Sequence, residues 1–303
     1  MLANGWSWLT PPWGRHMGRI IAVMNIKGGV GKTTITGNLA DALGRLGHRV
    51  LAVDMDSQCN TTSLLLPGES PRQHTVRDLL AQDEPTLAVR KCILPTRLAN
   101  VSLLPNTPET ALLEPQLLQS APASYLRLRR SLRDFARRHF AFTLIDNPPN
   151  MGTFVLLSLY AADGVILPLK AGSAFSVEGL LKAVRLISRV RSEANPDLSF
   201  LRLLINQMDR RTSISRSISQ EIGSAFEQDQ LFRTTIPVNT AFERAESRGQ
   251  TIFQFNPGAS GARAFRELAS ELLDICGLTE NLHGRIKHEH PTKKGQAASK
   301  ALG

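Results

Sequence analysis

Long apolar runs are missing from this chain. None approaches the roughly 18 to 20 consecutive apolar residues that span a bilayer, so a membrane-spanning helix is not expected. Cysteine is scarce. Cys59, Cys92 and Cys276 are odd in number, far apart and without metal-ligand spacing. That pattern argues against a disulfide framework or a cysteine metal site, and the expected compartment is reduced and cytosolic. The opening lacks a basic stretch followed by a long apolar core, so a secretory leader is not expected either. Acidic residues are outnumbered, 26 against 36 Lys and Arg, for a formal charge of +10. Residues 281–303 hold +4 of this and residues 1–16 hold +1, which leaves +5 for the body. A basic surface favours polyanions without naming one. The length of 303 residues and the 42% hydrophobic share suit one α/β domain of about 250 residues with extensions.

What is present is concentrated in Lys27-Gly28-Gly29-Val30-Gly31-Lys32-Thr33-Thr34. Ahead of it, Arg19 to Met24 is an apolar run with β-branched residues, which predicts a buried strand. Behind it, Ile35 to Gly47 has apolar residues at helical spacing and a terminal Gly, which predicts a helix with a stop. Strand, Gly-rich loop and helix is the context in which such a pattern binds phosphate. Backbone N–H groups of Gly28, Gly29, Val30 and Gly31 would close around phosphate oxygens, and the helix start at Thr34 adds positive field. Lys32 would reach the β- and γ-phosphates, and the Thr33 hydroxyl would serve a Mg²⁺ ion.

Two further strands are expected to end in carboxylates. Arg49 to Val53 runs into Asp54-Met55-Asp56, and Phe140 to Ile145 runs into Asp146. The C-terminal ends of parallel strands are where ligands bind in such sheets. If the strand continues past Asp54, Asp54 and Asp56 point alike. Asp54 is then a candidate for Mg²⁺ or its water shell, Asp56 for orienting the attacking water, and Asp146 for holding a Mg²⁺-bound water. Short elements are expected at Val76–Ala81 (helix) and Val101–Pro105 (strand), whereas Thr86–Leu94 stays ambiguous. An amphipathic helix is expected from Leu126 to His139, with Leu128, Leu132 and Phe135 inward; its arginines suit a solvated face or, less readily, DNA. Strands follow at Gly164–Leu169 and Phe200–Asn206; one helix begins within Phe175–Leu181, capped by Ser176, and continues to Val190, and others are expected at Ile214–Phe226 and Arg263–Cys276. Asn206, at a strand end, is either an adenine-edge reader, through its amide donor and acceptor, or a turn former.

In these motifs the chain resembles the ParA/MinD family of P-loop ATPases, most of all the Soj-like ParA partitioning proteins, over roughly residues 17–276. The distinctive mark is Lys27, the fifth residue before Lys32, where a common phosphate loop has Gly. Asp54 to Asn60 is similar to the family's Asp-x-Asp-Pro-Gln-Gly-Asn, with Ser57 for Pro and Cys59 for Gly. Asp146 to Gly152 resembles the family's Asp-x-Pro-Pro-x-x-Gly switch, and Thr235 to Asn239 its Ile-Pro-x-Asn adenine segment, which brings in Pro237 and Asn239.

The resemblance implies a fold and a cycle. The fold is a P-loop NTPase three-layer α/β sandwich, a mostly parallel sheet with helices on both faces. The cycle is Mg²⁺-dependent ATP hydrolysis by Lys27, Lys32 and Asp56. ATP and Mg²⁺ are the implied ligands, and Lys27 reaches the nucleotide of the opposite subunit in an ATP-bound homodimer. The dimer binds DNA without sequence preference and is released when a ParB-like activator stimulates hydrolysis. A cytoplasmic, nucleoid-associated protein is implied. Candidate DNA contacts are Arg210, Arg211, Arg216, Arg233, Arg244, Arg248 and Arg263, each otherwise a solvated surface charge. The open alternatives are a positioning ATPase for another cargo, a MinD-like membrane switch, and a metabolic relative such as an amidoligase or an iron-protein-like reductase. The reductase needs paired ligand cysteines that this chain lacks. Residues 1–16, which hold Trp6, Trp8 and Trp13, are expected to precede a native start at Met17. The ATPase domain is expected over 17–280, and 281–303 as a disordered basic tail without the apolar stripe of a membrane helix.

Overall fold

The computed structural model describes residues 17–68, 74–82, 87–170, 177–208 and 226–278. Its centre is a seven-stranded sheet in the order β3-β4-β2-β5-β1-β6-β7. The strands are β1 Arg19–Val23, β2 Val50–Asp54, β3 Leu94–Pro95, β4 Val101–Leu104, β5 Phe142–Asp146, β6 Gly164–Lys170 and β7 Ser199–Asn206. All pairings are parallel except β3 with β4. The stretch the sequence left ambiguous, Thr86–Leu94, holds the 3₁₀ turn Val89–Cys92, and the two-residue β3 begins at its last residue.

The helices are α1 Lys32–Arg45, α2 Asn60–Leu65, α3 Val76–Leu80, α4 Glu114–Gln119, α5 Arg127–His139, α6 Thr153–Ala161, α7 Val177–Glu193, α8 Ala241–Glu246, α9 Ile252–Phe255 and α10 Ser260–Ile275. β1 is buried along its whole length, and its side chains alternate between two cores. Ile20, Ala22 and Met24 face one core with Leu128, Leu132, Leu157 and Ile187; Ile21 and Val23 face the other with Ile35, Leu39, Leu43, Phe265 and Leu268. The sheet is therefore covered on both faces, as expected. That double covering is why β1, β2 and β5 read as continuous apolar runs rather than alternating ones.

The arginines of α5 divide: Arg130 and Arg138 are exposed, as a solvated face requires, while three others turn to neighbouring elements. Arg127 donates to the Leu80 carbonyl at 2.7 Å, and Arg129 to the Tyr160 carbonyl at 2.9 Å. Arg133 is buried and pairs with Asp163 at 2.7 Å and Asp197 at 2.9 Å, while Asp163 also accepts the Ile20 N–H. They sew the helix to its neighbours. Among the described residues no helix is long and apolar enough to cross a membrane. The expected helix at 214–226, the expected cap at Ser176 and the expected tail lie outside the described residues, save for the buried Phe226.

Candidate nucleotide site

The site forms where central strands end. In register, Asp146 of β5 pairs with Val23 of β1 on one side and with Asp54 of β2 on the other. The loop leaving β1 and the two carboxylates thus arrive at one level of the sheet. The loop turns into α1 through Gly29 at φ +71° and Gly31 at φ +86°. A left-handed backbone costs an L side chain roughly 1 to 2 kcal/mol, so both positions favour glycine. Gly31 is also hemmed in: a Cβ there would lie 2.3 Å from Asn206 Nδ2.

Asn206 belongs to this loop rather than to open space. Its Nδ2 donates to the Val30 carbonyl at 2.7 Å, and its Oδ1 accepts from the Gln207 N–H at 2.9 Å. The amide holds the phosphate loop against the end of β7, a role neither sequence alternative named. Lys27, Gly28 and Gly29 are exposed, whereas Lys32 is buried. Burial lowers the Lys32 pKa, and nearby Asp146 and Asp56 pull it back up. The Lys32 ammonium is thus desolvated and lies in the field of both carboxylates.

Asp146 is fully buried. Its Oδ2 accepts from the Thr33 and Thr61 hydroxyls, each at 2.7 Å. Its Oδ1 has no hydrogen-bond partner. A buried carboxylate oxygen without a donor is a costly feature that a cation or a cation-bound water would relieve. Burial pushes the Asp146 carboxyl up to about 6, against the pull of Thr61, Thr33 and Lys32.

Asp54 and Asp56 do not share a strand face, because β2 stops at Asp54. The chain instead curls so that the Asp56 N–H donates to Asp54 Oδ1 at 3.1 Å. Asp54 Oδ2 accepts from Thr62 N–H at 2.8 Å and Thr62 Oγ1 at 2.7 Å. Asp54 therefore braces the loop between β2 and α2. Burial and Asp146 push its carboxyl up to about 7. Asp56 accepts the Gln58 N–H at 3.0 Å and stays near Lys32. Cys59, where the family pattern has Gly, adopts φ +55° and starts α2.

The sequence did not single out Thr62 or Asn106. Asn106 follows the end of β4, the same signal that marked Asp54 and Asp146, and its Nδ2 donates to the Asp56 carbonyl at 3.0 Å. Pro237 pairs with Met208 beside β7, and Asn239 accepts the Ala241 N–H at 2.9 Å at the start of α8. Of the candidate DNA contacts, Arg244, Arg248 and Arg263 are exposed, and Arg248 stacks 5.1 Å above Phe255. Arg233 is exposed but pairs with Glu271 at 3.5 Å. Arg210, Arg211 and Arg216 lie outside the described residues.

A Gly-rich loop between a central strand and α1, with carboxylates from two neighbouring strands behind it, defines a P-loop NTPase of the parallel α/β class. A family model described as an AAA domain matches residues 18–200. The chromosome-partitioning ATPase Soj of Thermus thermophilus is 37% identical over 258 residues, 84% of this chain and 95% of that protein. The sporulation initiation inhibitor protein Soj of Bacillus subtilis is 32% identical over 256 residues, 84% of this chain and 98% of that protein. Among solved structures, cobyrinic acid a,c-diamide synthase from Mycobacterium smegmatis with bound ADP and magnesium superposes with a TM-score of 0.71 at 30% identity, over 92% of this chain and 100% of that one. The chain belongs to the ParA/MinD family of P-loop ATPases.

Proposed function

We propose that this protein is an ATP-dependent DNA-partitioning ATPase. In this reading it hydrolyses ATP with Mg²⁺ and dimerises around ATP. The dimer binds DNA without sequence preference, associates with the nucleoid, and is released when a ParB-like partner stimulates hydrolysis. The observation that carries the reading is Lys27, an exposed cation at the open edge of a loop whose other lysine, Lys32, is buried beside Asp146 and Asp56. One lysine serves the chain's own site, and the other is free to enter a second.

The residues fit the ligands. The left-handed glycines and the N–H groups of Gly28 to Gly31 suit phosphate oxygens, and the unpartnered Asp146 Oδ1 beside Thr33 suits Mg²⁺. When bound, Mg²⁺ would neutralise charge on the transferring phosphoryl group. Lys32 adds a desolvated positive charge from within the chain. Asp56, held by Gln58 N–H and close to Lys32, would orient water and accept its proton. Lys27 of a second subunit would add charge in trans, much as an arginine finger does.

A relative named as a chromosome-partitioning ATPase supports partitioning over the alternatives. The likeness to a diamide synthase keeps one second reading, in which turnover would depend on a small carboxylate substrate. Sedimentation velocity with ATP, with ADP and without nucleotide, all with Mg²⁺, tests the proposal. A dimer should form with ATP alone and disappear in Lys27→Ala. A mass unchanged by ATP would count against it.

A further inference from the structure

No motif points to Glu246, the last residue of α8. Its carboxylate accepts a hydrogen bond from the Thr34 hydroxyl, 212 residues earlier. Thr34 is the third residue of α1, so the carboxylate stands beside the first turn of a 14-residue helix. That turn has no acidic residue and no side-chain cap of its own. The free N–H groups and dipole of a helix start attract an anion, and phosphate loops use that field to hold nucleotide phosphate. Glu246 thus places a negative charge beside the start of α1, where the substrate's phosphates bring theirs. A threonine hydroxyl has one proton to donate, so a carboxylate and a phosphate cannot both take it.

The rest of the contact explains what can move. Thr34, Asn38, Asp41 and Arg45 lie along one face of α1. Asn38 Oδ1 accepts the Ile252 N–H at 2.7 Å, Asp41 accepts the Thr251 hydroxyl, and Arg45 lies 5.1 Å above the Phe253 ring. Asn38, Asp41 and Thr251 are buried. The Thr34–Glu246 bond is exposed, at the rim of a cavity of about 560 Å³ lined by Asn60, Ser63, Pro67 and Arg248 as well. The 251–253 end is a buried anchor; residues 246–248 are exposed, and their turn is closed by the Gly249 N–H on the Glu246 carbonyl at 2.9 Å.

We propose that the Thr34–Glu246 hydrogen bond is an inhibitory latch on the nucleotide site. Glu246 competes with nucleotide phosphate for the start of α1, and nucleotide binding frees the turn 246–249 that carries Arg248. The inference rests on the reading that this loop binds ATP. It is tested by equilibrium binding of fluorescent ATP and ADP analogues to wild type, Glu246→Gln, Glu246→Ala and Lys32→Ala, with hydrogen exchange across 241–255 before and after saturation.

Both Glu246 variants should bind roughly three- to ten-fold more tightly than wild type, since one repelling charge and one competing acceptor are removed or weakened. Glutamine keeps an acceptor oxygen, so a gain there isolates the charge. Exchange at 246–249 should speed up in wild type on saturation and be fast from the start in Glu246→Ala. Glu246 variants that bind no better than wild type, or a 246–249 turn that slows on saturation, would overturn the latch. Wild type binding while Lys32→Ala does not would uphold the nucleotide reading whichever way Glu246 behaves. Silence from wild type and every variant would remove that reading and the latch together.

Discussion

At the scale of single residues, the phosphate loop depends on an amide and a missing Cβ. Asn206 Nδ2 lies on the Val30 carbonyl, and it can do so only because residue 31 has no side chain. Gly31→Ala should therefore fail twice, by backbone strain at φ +86° and by the 2.3 Å overlap with Nδ2. The expected cost is about 2 kcal/mol or more in urea unfolding, with nucleotide binding lost. Asn206→Ala removes the second fault, so the double variant should cost less than the sum of the singles. Strict additivity would show that the two residues do not meet. The loop glycines and Lys32 were legible in the sequence because their letters and spacing state their chemistry. The Asn206 bond was not, because it joins positions 176 residues apart and an Asn at a strand end has several uses.

At the scale of elements, the long buried strands and α1, α5, α7 and α10 announce themselves by apolar runs or helical spacing. α2, α8 and α9 are four to six residues long and carry too little period to be read. What fixes α9 is the polar face of α1, a pattern that looks like an exposed face in the sequence. Asn38→Ala strips the buried Ile252 N–H of its acceptor and should cost about 1 to 3 kcal/mol in urea unfolding. Arg263→Ala, on an exposed face of α10, should change stability by less than about 0.5 kcal/mol. Equal effects from the two would mean that the α1 face does not anchor the 251–253 segment. The paired Asp54 and Asp56 show the opposite limit of sequence reasoning. Alternation predicts a shared face only while a strand lasts, and β2 ends two residues short of Asp56.

At the scale of the whole molecule, the sheet order brings the loop after β1 and the carboxylates of β2 and β5 to one edge, with Lys27 exposed beside them. An edge that presents a free lysine next to a buried one suits two copies facing each other across two nucleotides. The exposed Arg244, Arg248 and Arg263 lie on the C-terminal segments that α1 touches or packs against. The most direct test of the central claim is binding of non-specific duplex DNA with ATP, with ADP and without nucleotide, at two salt concentrations. The account predicts binding that needs ATP, weakens as salt rises, and vanishes in Lys27→Ala. ATP hydrolysis without DNA binding in any nucleotide state would contradict it.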